Sequence, residues 1–108
     1  MDIRMRMEKY VKKLGHLNES LEIEDTVKRL FEIVDVIERL KGLYGGKNEE
    51  LKDLEEEVKD MVYDMVGILK DMARFRDVDS LEDYVILRNR LLEIENEVME
   101  MIKYIIGG

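Results

Sequence analysis

Arg88 and Glu95 are the residues of this chain whose types and placement could do chemistry. They lie seven positions apart, so on a helix they share one side, about 10.5 Å from each other. Both project into an apolar arc that includes Leu81, Tyr84, Leu91, Leu92, Val98 and Met99. A charge placed there is costly to bury unless it is paired. In a structural use, each pairs with an opposite charge on a neighbouring helix, or lays its stem across apolar surface with its head in water. In a chemical use, the arginine fork holds a carboxylate or phosphate bidentately. Lys41, which also falls within an apolar arc, adds a second cation, and a desolvated Glu95 acts as general acid or base. The candidate ligand-binding residues are therefore Lys41, Arg88 and Glu95, and the weak catalytic candidates are Arg88 and Glu95. Glu55 lies at the edge of another apolar arc.

Most other chemistry is excluded by counting. The single histidine, His16, projects away from the apolar stripe of its segment and reads as an exposed residue near a helix end. One histidine cannot supply paired Glu-x-x-His motifs, bis-His haem ligation or a Ser–His–Asp set with a neighbouring base. With 0 Cys there is no thiolate zinc site, iron–sulfur cluster or thiol nucleophile. The stretch 42–47 has a phosphate-loop look, but Asn48 follows Lys47 where Ser or Thr is needed and no strand precedes it. Glu55, Glu56, Glu57, Glu93, Glu97 and Glu100 read as solvated helix faces. The expectation is no metal and no cofactor.

Charge and hydropathy narrow the partners. Lys and Arg total 18 against 26 Asp and Glu, a formal charge of −8, which opposes binding to a phosphate backbone. Arg74, Arg76, Arg88 and Arg90 are interspersed with Asp71, Asp77, Asp79, Glu82 and Asp83, so no basic patch and no nucleic-acid partner is expected. No stretch approaches the ~20 apolar residues of a membrane span. The charged start, Met1 to Arg6, lacks an apolar signal region. These features predict a soluble, cytoplasmic chain with no membrane partner.

The elements that position these residues follow from apolar spacing. Over residues 2–17, Ile3, Met7, Tyr10, Leu14 and Leu17 make one amphipathic stripe. Over 21–44, Ile23, Val27, Leu30, Val34 and Ile37 form a main stripe that Phe31, Val36, Leu43 and Tyr44 widen, enough for two neighbours. Over 49–75, Leu51, Leu54, Val58, Met61, Met65, Ile68, Met72 and Phe75 alternate three and four apart. Over 80–106, Tyr84, Leu87, Leu91, Ile94, Val98, Met101 and Ile105 do the same. Ser20 is placed to cap the second segment, Gly45-Gly46 to end it, Asn48 to cap the third, and Asp79 with Glu82 to open the fourth. Short connections make successive helices antiparallel neighbours. The expected architecture is all-α: an up-down-up-down antiparallel four-helix bundle, one domain over residues 1–108. A dimer of helical hairpins is the alternative.

The stretch 69–77, Leu-Lys-Asp-Met-Ala-Arg-Phe-Arg-Asp, is similar to the one before the catalytic motif of HEPN-type ribonuclease bundles. That motif carries a His a few residues after the Arg, whereas here Ser80 and Leu81 follow. The resemblance therefore implies a helical bundle without the nuclease site.

The alphabet is restricted to one Ala and no Gln beside 8 Met. A binary-patterned designed sequence would read so, as would a Glu/Lys-rich thermostable protein. The functional expectation is a structural or designed bundle with no evident catalytic site. Two alternatives remain open. One is a helix-mediated interaction module that pairs with itself as a dimer of bundles, through the first segment or through Val36, Leu43 and Tyr44. The other is a small-anion-binding bundle or enzyme using Arg88 and Glu95.

Overall fold

The computed structural model describes residues 2–44 and 47–107. The glycine C-cap expected at 45–46 lies outside them. The described chain is all-helical: α1 (Ile3–Leu14), α2 (His16–Leu21), α3 (Ile23–Tyr44), α4 (Glu49–Phe75) and α5 (Val78–Gly107).

The first expected segment is thus two helices. Gly15, with φ 54°, ends α1 in a conformation open to glycine, and the chain turns into the short α2. Glu22, also left-handed at φ 52°, then separates α2 from α3. Ser20 is not the cap of α3, because it lies inside α2. Asn18 takes that role from further back: its Oδ1 accepts from the Glu24 amide at 2.8 Å. Asn48 caps α4 as expected, accepting from the Leu51 amide at 3.0 Å. The last helix starts two residues earlier than the Asp79–Glu82 pattern suggested. Asp77 accepts from the Ser80 amide at 3.1 Å, and the Ser80 hydroxyl first and this amide second hold its carboxyl below the usual range.

Packing follows the width of each apolar face. On α4, Met61 with Val62 and Met65 with Val66 are all buried, which doubles the usual single stripe. The helix accordingly packs against α1, α3 and α5. On α5 only a narrow stripe is buried: Tyr84, Leu87, Leu91, Ile94 and Val98, with Ser80 at its start. Among the described residues α1 and α5 do not pack on each other. They flank the α3–α4 pair on opposite sides, in keeping with extents of 47 × 27 × 19 Å. A ring of helices in chain order would instead bring the first and last together.

Candidate functional site: a polar seam between α3 and α5

The anomalous charges of α5 meet their partners on α3 and at the residue that precedes it. Arg88 Nη2 donates to Glu22 at 3.0 Å, and its Nη1 makes a long contact, 3.5 Å, to the Leu21 carbonyl. Glu95 is gripped by both arms of the Arg29 guanidinium, with Nε donating at 3.1 Å. Arg29 also reaches Asp25 at 3.6 Å. The Glu95 carboxylate pushes the Arg29 pKa up, while burial works the other way. Both pairs span 66 positions, so α3 and α5 run in the same direction. The charges are crossed, glutamate then arginine on the α3 side and arginine then glutamate on α5. Slippage by one step of seven residues would set like charges together.

Below these pairs sits a buried hydroxyl relay. Tyr84 and Thr26 are both fully buried. The Tyr84 hydroxyl lies 2.7 Å from the Leu21 carbonyl and 2.8 Å from Thr26 Oγ1. Thr26 Oγ1 is in turn 2.9 Å from the Glu22 carbonyl. Two protons serve three contacts. Either Thr26 donates to Tyr84 and Tyr84 to Leu21, or Tyr84 donates to Thr26 and Thr26 to Glu22. In the first case the Thr26 amide still satisfies the Glu22 carbonyl at 2.9 Å; in the second, Arg88 covers Leu21. Among the described residues no buried side-chain polar atom lacks a partner. Burial raises the Tyr84 pKa, so the phenol stays a neutral structural hydrogen-bonding group.

The structure does not bring Lys41 to Arg88 and Glu95. Lys41 is near the far end of α3, about 28 Å from Glu22 at 1.5 Å per residue. There its ammonium donates to Glu55 at 3.0 Å, with Lys59 at 3.7 Å from the same oxygen. Arg88 and Glu95 do not pair with each other. His16 is exposed at the start of α2. Part of the acidic face read as solvated is engaged: Arg90 donates to Glu57 with two nitrogens and reaches Glu93 at 3.0 Å and Glu97 at 3.4 Å. This tie joins α4 to α5, lowering the Glu57 pKa and raising that of Arg90.

Sequence reading missed Thr26, Glu22 and Arg29. The signal was present: Glu22 and Arg29 repeat the seven-residue spacing of Arg88 and Glu95 with the signs exchanged. The apolar stripe places Tyr84 in the core, and a buried phenol also needs a partner.

Glu55 is the one buried carboxylate among the described residues. The Lys41 hydrogen bond holds its pKa below the usual value near 4.5, against the opposing effect of burial. A lowered folded pKa means that this stabilisation is complete above the unfolded value and lost as pH falls through the folded one. Lys41→Met removes the main cause. It should cost about 1–2 kcal/mol at neutral pH, discounted because Lys41 is itself partly in water. It should also flatten the fall in stability between about pH 5 and pH 3. Urea unfolding of both proteins across that range reads both effects, and parallel curves would show that Glu55 draws nothing from Lys41.

Other surfaces are less built. A depression of about 370 Å³ between α1, α2 and α3 is lined by Arg4, Glu8, Lys12, Asn18, Glu24 and Lys28, not by the seam residues. Among the described residues no three His, Cys, Asp or Glu converge as a metal site, and no helix is long and apolar enough to cross a membrane. The outer face of α5 is different in kind. Val78, Val85, Leu92, Met99 and Ile106, each seven residues from the next, are 67%, 42%, 43%, 52% and 80% exposed. Of the surfaces expected from sequence, Leu43 is exposed, whereas Val36 and Tyr44 are half-buried. The continuous stripe is on α5.

No family model matches this chain, and neither the curated proteins nor the solved structures contain a significant match.

Proposed function

We propose that this protein is a non-catalytic helical bundle that acts by presenting the outer face of α5 to another helix. The observation that carries this reading is the exposed stripe from Val78 to Ile106. It runs roughly 42 Å at 1.5 Å per residue, too regular and too long for scattered surface apolar residues. The seam supports the same reading from the other side. Arg88 and Glu95 are engaged by Glu22 and Arg29, leaving no free acid–base pair. We read α1, α3, α4 and α5 as alternating in direction, a four-helix up-down arrangement with α2 as an inserted turn of helix.

A model amphipathic peptide with leucines at seven-residue spacing tests the reading by fluorescence anisotropy. The wild-type chain should bind it at least about tenfold more tightly than the Leu92→Glu, Met99→Glu variant. That variant should keep its helicity, because both side chains face water. Equal binding by the two proteins would overturn the proposal. So would a melting shift with phosphate or a carboxylate that Arg88→Leu abolishes, since it would restore the anion-binding alternative.

A further inference from the structure

We infer that the partner of this face is a second copy of the same chain, with the two α5 helices packed antiparallel about a two-fold axis at Leu92. This rests on the docking reading above and names its occupant. Leu92 is the midpoint of the stripe. A two-fold there sets Leu92 on Leu92, Val85 against Met99 and Val78 against Ile106 of the other copy. Strict seven-residue spacing drifts around a straight helix and stays in one seam only when two helices wind about each other.

The flanking rows decide the direction. A two-fold axis set across two helices turns each flank toward the same flank of the partner. On one side lie Glu82, Asn89, Asn96 and Lys103, all exposed. Antiparallel pairing about Leu92 sets Glu82 opposite Lys103 and Asn89 opposite Asn96. On the other side lie Leu81, Arg88, Glu95 and Ile102, and the same axis sets Arg88 opposite Glu95 and Leu81 opposite Ile102. The crossed pairs with Glu22 and Arg29 thereby extend across the interface. A parallel pair has its two-fold along the helices and turns each flank toward the other one, setting Glu82 beside Leu81, Asn89 beside Arg88, Asn96 beside Glu95 and Lys103 beside Ile102, with no opposite charges facing at one level. All three rows are thus self-complementary about one point in the antiparallel arrangement, and the charged flanks favour it over the parallel one.

The covered strip is about 42 Å by 10 Å on each copy, below a standard specific interface and in the weak, transient class. A reversible dimer of micromolar class follows. Sedimentation equilibrium from roughly 1 to 500 μM brackets that range. The mass should rise from 12.9 kDa toward twice that value, and Leu92→Glu should abolish the rise. Glu82→Lys should weaken the dimer several-fold, and adding Lys103→Glu in the same chain should restore it.

Direction is read by disulfide trapping, which the absence of cysteine makes clean. In an equimolar mixture, Val85→Cys and Met99→Cys chains should cross-link to each other in preference to themselves. Preferential self-cross-linking of each variant would overturn the antiparallel arrangement. A chain that stays monomeric but binds the model peptide through Leu92 would overturn self-pairing and leave the docking face standing. A chain that does neither would overturn both.

Discussion

Replacing Tyr84 by alanine is expected to lower the unfolding free energy by about 3–5 kcal/mol, enough to move the melting temperature by roughly 15 °C for a domain of this length. Tyr84 is the largest fully buried side chain, and it sits where α5 closes on the α2–α3 junction. Its removal opens a cavity and strips a donor from the Leu21 carbonyl. Tyr84→Phe separates the two effects. It keeps the ring and removes only the hydroxyl, at a cost of about 1 kcal/mol, because Thr26 can still donate to the Glu22 carbonyl and Arg88 still lies near Leu21. Denaturant unfolding of both variants gives the partition. Should Tyr84→Phe cost as much as Tyr84→Ala, the hydroxyl relay and not the ring would be holding the junction.

The second large effect is expected at the crossed charge pairs. Arg29→Glu sets a carboxylate against Glu95 and Asp25 in a seam where the Arg29 and Glu95 side chains are only 23% and 29% exposed. The expected loss is about 2–3 kcal/mol, below the full penalty for a broken buried pair because water still reaches the site. Adding Glu95→Arg re-forms the pair with its polarity reversed and should recover more than half of the loss. Proximity of the new carboxylate to Asp25 keeps the recovery incomplete. A double-mutant cycle by urea unfolding reads the coupling. Additive single and double variants would mean that the pair contributes nothing to the register of α3 and α5. The Arg88–Glu22 pair, with Glu22 61% exposed, should show a much smaller coupling.

Much of this was legible in the residues themselves. The alternation of three and four through Leu51, Leu54, Val58, Met61 and Met65 is a property of the covalent chain, and it places α4 wherever a core forms around it. Asn48 as a cap was equally readable, because a side-chain oxygen satisfying a free amide is a local interaction. The short helix α2 was not. Its existence depends on the left-handed turns at Gly15 and Glu22 and on Asn18 reaching six residues forward to Glu24. Arg88 and Glu95 could be recognised as out of place, since a charge within an apolar arc needs a partner. Which partner each takes could not be read from α5 alone.

The sequence by itself determined that the chain is helical, where most of the helices lie, which stripes are apolar, and that thiol and multi-histidine chemistry have no residues to carry them. Only the tertiary structure decided which apolar stripe of each helix is covered. The five exposed members of the α5 stripe are as apolar as the buried ones, and periodicity alone treats them alike. Burial depends on a neighbour being present. The double-width face of α4 draws α1, α3 and α5 around itself, and α1 and α5 end on opposite sides. Among the described residues, one face of α5 is then left with no helix to cover it.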